Sequence, residues 1–162
     1  MSPTLTAEAR QALAPCEGGD TLVITVGNPF RGDDGVGPFI GGRLLGRELG
    51  FRLINAFDRP ESAVDKAAGF KPAKVIFIDA ADFGGSPGEV RVIAPEHVGQ
   101  GSLSTHSIPL SVVAGIIGED TSARTVFLGI QPKNTAYGAG LSQEVESSAR
   151  LILGYLLEFG PR

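Results

Sequence analysis

Apolar residues recur along the chain in two spacings, one typical of buried strands and one typical of amphipathic helices. Continuous apolar runs rich in β-branched residues predict strands at residues 22–26, 51–55, 74–80 and 124–130. Apolar positions three and four residues apart predict helices at residues 3–14, 36–49, 60–69, 109–117 and 141–158. Residues 89–93 alternate in side-chain polarity, which is typical of an edge strand.

The order of these elements predicts a three-layer α/β/α fold. Strands that alternate with helices are typical of a parallel sheet whose two faces are covered by helices. We therefore expect a twisted, mostly parallel sheet of about five strands with one antiparallel edge strand. The chain of 162 residues has the length of a single domain. We divide it into an N-terminal extension, residues 1–20, and a core, residues 21–158.

Composition and charge disfavour several classes of function. Hydrophobic residues make up 42% of the chain and charged residues 20%, which indicates a globular protein rather than a disordered one. The net charge of −4 argues against a surface for nucleic acid or anionic membranes, and no apolar stretch has the length of a membrane span. The single cysteine, Cys16, cannot form an internal disulfide, so we expect a cytoplasmic protein.

Two adjacent carboxylates, Asp33 and Asp34, lie in the turn between the first strand and the helix after it. In open α/β sheets this turn lies at the carboxyl edge, where ligands bind. Gly27 and Gly32 have the spacing of P-loop glycines, but the two Asp residues stand where Lys and Ser or Thr are required, and they would repel phosphate. Two interpretations follow: one Asp caps the helix, or a carboxylate binds a metal or acts as a general base.

Two more polar residues are predicted to reach the same edge. Asp79 ends the central strand, and His106 lies in a polar loop before a helix. Two carboxylates and an imidazole can bind a divalent transition metal, so Asp34, Asp79 and His106 form a candidate site in a polar crevice. Each also has a structural alternative, since Asp79 can bond backbone amides in a turn and His106 can be an ordinary loop residue.

Four motifs occur in order along the chain. They are GNPFRGDDGVGP at residues 27–38, Asp79-Ala80 with the Pro-Gly-Glu of residues 87–89, THSIPL at residues 105–110, and FLGIQP at residues 127–132. Together they resemble the motifs of the hydrogenase maturation endopeptidases, which trim the C-terminal extension from the large subunit of NiFe hydrogenases. The resemblance covers roughly residues 21–158 and is closest to the branch that serves formate-hydrogenlyase-type hydrogenases.

This resemblance implies an aspartic-type endopeptidase whose partner is the precursor of a NiFe hydrogenase large subunit. It also implies that Asp34, Asp79 and His106 are both the nickel-contacting and the catalytic residues. The nickel would be carried by the precursor and recognised by these ligands, so that cleavage follows nickel insertion. Asp34 or Asp79 would activate a water molecule for amide hydrolysis.

One position departs from the family pattern. After the second strand many relatives carry Asp followed by two glycines, whereas this chain has Asn55, which cannot act as a base. Either that Asp is dispensable or Asp58 substitutes for it. The departure leaves a second hypothesis, a non-catalytic nickel-sensing chaperone that docks on the precursor. A third hypothesis, a nucleotide-binding module, is disfavoured by the two Asp residues of the first turn.

Several other residues have two interpretations. The aromatic side chains of Phe30, Phe57 and Tyr137 are near the predicted crevice, where they either shape a peptide groove or pack in the core. His97 is predicted to be a surface residue after the edge strand. Cys16 lies in a peripheral segment and lacks the neighbouring base that a catalytic thiol requires.

Overall fold

A computed structural model describes residues 3–98 and 108–161 of the chain. The strands in these ranges are Thr21–Val26 (β1), Arg52–Phe57 (β2), Lys74–Ala80 (β3), Val90–Ile93 (β4) and Arg124–Ile130 (β5). The helices are Ala7–Leu13 (α1), Val36–Leu44 (α2), Val64–Phe70 (α3), Leu110–Thr121 (α4) and Gln143–Leu157 (α5), with short 3-10 helices at Gly32–Gly35, Pro60–Ala63 and Pro95–His97. The predicted alternation of strands and helices is confirmed.

The five described strands form one sheet in the order β2-β1-β3-β5-β4. β1 pairs in parallel with β2 and β3, β3 pairs in parallel with β5, and β4 pairs antiparallel with β5 at the edge. This confirms the mostly parallel sheet with one antiparallel edge strand. All six residues of β1 are buried, because a strand between two neighbours and under helices on both sides exposes neither face.

Two apolar cores cover the two faces of the sheet. α1, α2 and α5 pack on one face, and α3 and α4 pack on the other. Neighbouring residues of β1 alternate between these cores, with Val23 in the first and Leu22 in the second, because successive side chains of a strand point to opposite faces. Within the described ranges, no helix combines the length and apolar character needed to cross a membrane.

The strand order creates a topological switch point between β1 and β3. The chain leaves β1 toward β2 and leaves β3 in the opposite direction, toward β4. The two connections therefore diverge and leave a crevice at the carboxyl ends of these adjacent strands, which is where open α/β sheets bind ligands. Asp34 follows β1 and Asp79 lies near the end of β3, so both belong to this crevice edge.

All five described helices differ from their predicted bounds, and in α2 and α4 the difference is mainly at the C-terminal end. α2 ends at Leu44 rather than at residue 49, because Leu45 adopts an extended ψ and Gly46 takes a φ of +76°. Leu45 is consequently exposed instead of lying on the buried face. α4 continues to Thr121 and ends where Ser122 takes the left-handed conformation. Apolar spacing does not set these ends, since they depend on the backbone conformation of single residues.

The N-terminal segment packs into the core more closely than its place before the first strand suggests. Leu5 and Leu13 are buried in the core that α1 shares with α2 and α5. The hydroxyl of Tyr155 on α5 donates a hydrogen bond to the carbonyl oxygen of Arg10 at 3.1 Å. The apolar face of α1 therefore contributes to the same core as the helices that follow β1 and β5.

Lys74, the first residue of β3, anchors α1 with a buried ammonium group. Its Nζ donates to the carbonyl oxygens of Ala14 at 2.7 Å and Gln11 at 3.3 Å, which lie at the C-terminal end of the helix. Burial, and next the charge of Arg124, lower the pKa of Lys74 from its usual value. The group joins the N-terminal segment to the central strand.

Replacing Lys74 by Met should reduce stability at neutral pH by about 2 kcal/mol, because the partly buried carbonyl groups of Ala14 and Gln11 lose the charged donor of Lys74. The stability difference between wild type and variant should grow as the pH rises toward 10.5. In that window the unfolded wild type binds more protons than the folded protein, so the wild type gains stability with pH. Urea unfolding across this range measures both effects, with Lys66→Met as an exposed control. A pH-independent difference would contradict the lowered pKa.

Candidate functional site

The first candidate carboxylate, Asp34, lies in the 3-10 helix Gly32–Gly35 directly after β1. Its Oδ2 accepts the backbone N–H of Asn28 at 2.9 Å, and its own N–H donates to the carbonyl oxygen of Arg31 at 3.0 Å. The residue is only 3% exposed. Asp34 is therefore held by the backbone of its own turn, in a more enclosed position than the open polar crevice predicted from the sequence.

Two glycines allow this turn to fold so tightly. Gly27 has a φ of +146°, and a Cβ atom there would overlap the carbonyl oxygen of Asp34. Gly32 has a φ of +52°, and a Cβ atom there would overlap the carbonyl oxygen of Asn134. Only glycine tolerates both the positive φ and the close approach of another backbone. The spacing that resembles a P-loop thus serves backbone packing.

The neighbouring Asp33 binds a loop distant in sequence. Its fully buried carboxylate accepts the N–H groups of Lys133 at 2.8 Å and Asn134 at 3.0 Å through Oδ2. Ser142 donates its hydroxyl to Oδ2 at 2.9 Å and its N–H to Oδ1 at 2.6 Å. We call these four bonds the Asp33 clamp. They join the turn after β1 to the segment between β5 and α5, and Ser142 is itself the N-cap of α5.

Local sequence spacing does not reveal the clamp. Asp33 and its partners are about a hundred residues apart, and the pairing of β1 with β3 and of β3 with β5 brings them together. The interpretation that one Asp caps the following helix does not describe Asp33. α2 begins after Gly35 without a side-chain cap, and the Asp33 carboxylate instead lies at the start of α5.

Asp79 is the second candidate carboxylate and is half-buried near the end of β3. Thr25 of β1 pairs with Ile78, so Asp79 follows directly at the carboxyl edge shared by the two strands. The 3-10 helix that carries Asp34 contacts β3. Asp34 and Asp79 therefore flank the switch point from adjacent strands, as the sequence analysis expected from topology.

A cavity of about 480 Å³ opens beside Asp79 on the α4 face of the sheet. Its volume is within the range of small-molecule and peptide side-chain sites. Polar groups on the lining are those of Asp79, Asp82, Arg91 and His97, and the remaining wall is mostly apolar, with Phe77, Ala80, Phe83, Ile93, Val98, Leu110 and Phe127. His97 is exposed at this rim, which agrees with its prediction as a surface residue.

The third predicted ligand, His106, lies outside the described residues, together with the rest of residues 99–107. Val98, directly before that segment, and Pro109, two residues after it, both line the cavity beside Asp79. Among the residues that the structure does describe, no three His, Cys, Asp or Glu side chains gather to hold a metal ion. The three-residue site therefore stays a prediction.

Gln131, which follows β5, holds the loop after Asp79. Its buried Oε1 accepts the N–H groups of Phe83 at 2.9 Å and Gly85 at 3.1 Å. Its Nε2 donates to Oδ1 of Asp82 at 3.1 Å, and this bond lowers the pKa of Asp82. Gln131 thereby shapes one wall of the cavity, a role that its place at the end of a sequence motif did not reveal.

Asn55 lies in β2 and takes part in the packing between the sheet and α2. Its Oδ1 accepts the hydroxyl of Thr25 at 3.0 Å, and its Nδ2 donates toward the carbonyl oxygen of Pro38 at 3.5 Å. Asp58, the substitute considered from the sequence, is exposed just beyond β2. The amide at position 55 is thus engaged in contacts between β1, β2 and α2.

The three aromatic residues near the crevice are exposed. Phe30 is 70% exposed, Phe57 45% and Tyr137 76%, so the alternative that they pack in the core is wrong. The N–H of Gly138 donates to the carbonyl oxygen of Phe30 at 2.9 Å, which joins the loop of Tyr137 to the turn of Asp34. Exposed aromatic rings are enriched on surfaces that contact other proteins.

Comparison with known proteins gives a consistent result. A family model described as hydrogenase maturation protease, HycI, matches residues 48–158, a range that contains Asp79 and His106 and begins after the turn of Asp34. The hydrogenase 3 maturation protease of Escherichia coli is 28% identical over 133 residues, which cover 81% of this chain and 85% of that protein.

Solved structures extend the similarity. The crystal structure of a NiFe hydrogenase maturation protease HycI from Thermococcus kodakarensis is 33% identical and has a TM-score of 0.77, covering 93% of this chain and 99% of that one. The solution structure of an endopeptidase HycI from Escherichia coli is 26% identical with a TM-score of 0.77, covering 88% of this chain and 96% of that one. Because these two structures match 93% and 88% of this chain, the similarity extends into the segment before residue 48, which the family model does not cover.

Replacing Asp33 by Asn should lower the free energy of unfolding by about 3 kcal/mol. The amide keeps one acceptor oxygen but turns an NH2 group toward the buried donors of Lys133, Asn134 or Ser142, so at least one donor loses its partner. Chemical denaturation measures the loss, with Asp120→Asn, an exposed carboxylate on α4, as the matched control. Equal losses in the two variants would show that the clamp does not stabilise the fold.

Proposed function

Since this chain belongs to the hydrogenase maturation protease family and is therefore a hydrolase, we propose that its substrate is a NiFe hydrogenase large-subunit precursor. It removes the C-terminal extension of that precursor by hydrolysis of one peptide bond. The observation that carries the proposal is the position of Asp34 and Asp79, which flank the switch point of the sheet beside a cavity large enough for a peptide side chain.

Nickel, in this proposal, is part of the substrate. Asp34, Asp79 and His106 contact the nickel that the precursor already holds, in keeping with the family resemblance. Carboxylate and imidazole groups are suitable ligands for a divalent transition metal. A set of two carboxylates and one imidazole is one ligand short of a tetrahedral shell, so it binds metal weakly until the precursor supplies the rest. Cleavage then follows nickel insertion.

Asp79 is the residue that we propose as the general base, which makes the protease aspartic in type. It is half-buried and lines the cavity, whereas Asp34 is nearly buried and accepts a bond from the backbone of its own turn. A base must reach the water that it activates, and the cavity provides that access to Asp79. Asp34 is then the more rigid of the two nickel contacts.

We further propose that residues 1–162 act as one domain in the cytoplasm, with residues 21–158 as the protease core. Cys16 is the single cysteine of the chain and cannot form an internal disulfide, which suits a reducing compartment. The packing of α1 on the core supports the treatment of the whole chain as one unit.

Asp34→Asn, Asp79→Asn and His106→Ala should each abolish cleavage, because each removes a nickel contact or the base. The test mixes each variant with the nickel-loaded precursor from the same organism and follows the truncation by mass spectrometry. Asp65→Asn, an exposed change on α3, should cleave like the wild type, and circular dichroism checks that each variant folds. The wild type should leave the nickel-free precursor intact. Normal cleavage by all three variants would overturn the site.

The chaperone hypothesis depends on Asn55 and has its own test. If Asn55 made the chain non-catalytic, the wild type would bind the nickel-loaded precursor without cleaving it, and Asn55→Asp would gain cleavage. We expect the wild type to cleave, and Asn55→Asp to change kcat by less than about threefold, because the amide contacts Thr25 and Pro38 rather than the cavity. Gain of cleavage only in the variant would establish the chaperone.

A further inference from the structure

Arg31 carries a guanidinium that has no acceptor among the residues the structure describes. The residue is half-buried, and its Nε is fully shielded from solvent without a hydrogen bond. In the described part of the chain, its side chain also takes no part in an ion pair. Buried donors in proteins are normally bonded, so this guanidinium keeps unused hydrogen-bonding capacity beside the candidate site.

The backbone of Arg31 is fixed by the turn that carries Asp34. Its N–H donates to the carbonyl oxygen of Asn28 at 3.2 Å, and its carbonyl oxygen accepts the N–H of Asp34 at 3.0 Å. The side-chain oxygen of Asn28 also accepts the N–H of Phe30 at 2.9 Å. Arg31 therefore extends from a hydrogen-bonded turn, three residues before Asp34, which limits the entropy lost when it binds a partner.

One exposed aromatic ring lies beside this guanidinium, and a second belongs to the preceding residue. The ring centroid of Tyr137 is 5.9 Å from Cζ of Arg31, and Phe30 precedes Arg31 in the turn. The Asp33 clamp and the bond from Gly138 to Phe30 hold the two segments together. We call Phe30, Arg31 and Tyr137 the aromatic platform. Tyr, Phe and Arg are enriched at protein interfaces because they combine large contact areas with directional bonds.

We propose that the aromatic platform binds the C-terminal segment of the hydrogenase precursor and that Arg31 pairs with a carboxylate of that segment. This inference rests on the proposed function and adds a specificity contact to it. Because Nε is shielded from solvent, the carboxylate would pair with the two terminal Nη groups, which also present parallel donors for its two oxygens. A phosphate dianion fits less well, because Asp33 and Asp34 in the same turn repel its two charges more strongly than the single charge of a carboxylate.

The position of the platform sets its role in the reaction. A segment whose scissile bond lies at Asp34 and Asp79 reaches the platform within a few residues, since Arg31 is three residues from Asp34. The contact is remote from the reacting atoms and is equally strong in the ground state and the transition state. It should therefore affect KM and leave kcat nearly unchanged.

The first test compares the wild type with Arg31→Met in cleavage of the nickel-loaded precursor from the same organism. Loss of the paired guanidinium should raise KM about tenfold, with kcat within about twofold. Arg43→Met is the matched control. Arg43 is an exposed arginine that also lies over an aromatic ring, with its Cζ 3.5 Å from the ring centroid of Phe39, but it lies in the last turn of α2. An unchanged KM in Arg31→Met would overturn the inference.

The second test changes the partner. Each acidic residue of the C-terminal extension is replaced by its amide, and the terminal carboxylate is displaced by an added Gly-Ser pair. For one of these altered precursors, the KM of the wild-type enzyme should be about tenfold higher than for the unaltered precursor. The KM of Arg31→Met should be nearly the same for both precursors, since the two changes remove the same contact. If every altered precursor keeps the wild-type KM, the carboxylate contact is wrong.

Failure of the proposed function has a separate signature. If the wild type cleaves no nickel-loaded precursor, that function fails, and the platform is tested by direct binding instead. Surface plasmon resonance with the immobilised precursor should then give a Kd about tenfold weaker for Arg31→Met than for the wild type or Arg43→Met. Equal Kd values, or no binding by the wild type, would overturn the platform.

Discussion

The candidate site depends on one buried carboxylate, that of Asp33. Its four hydrogen bonds join the turn that follows β1 to the loop that follows β5 and precedes α5. A carboxylate is suited to this position because several backbone donors converge on it, and the start of α5 adds a favourable dipole. The turn carrying Asp34 and the loop carrying Tyr137 are held in place by the same group.

Three carboxylates near the crevice differ in role because their surroundings differ. Asp33 is fully buried and saturated with donors, Asp34 is nearly buried and held by its own turn, and Asp79 is half-buried beside a cavity. A rigid framework suits the nickel recognition that we propose, since ligands that are held in advance bind with less loss of entropy. The adjacent aromatic platform, which we propose as a contact for the precursor, extends from the same turn.

Local patterns were sufficient for most elements of the fold. β1, β3 and β5 are buried on both faces, which produces the continuous apolar runs that identify parallel strands. Helix ends were less predictable: α2 stops at Leu44 because of the backbone at Leu45 and Gly46, although the apolar spacing continues. The packing of α1 was also missed, since a short helix before the first strand carries no signal of the core that it joins.

The sequence by itself determined the alternation of strands and helices, and hence the edge at which Asp34 and Asp79 lie. Topology follows from element order, because right-handed connections and parallel pairing leave few alternatives. Only the tertiary structure decided that Asp33 clamps a loop about a hundred residues away, that Asn55 contacts α2, and that Arg31 lacks an acceptor within the described chain. Those roles depend on which groups meet after folding, and hydrogen-bond partners distant in sequence leave no mark on local spacing.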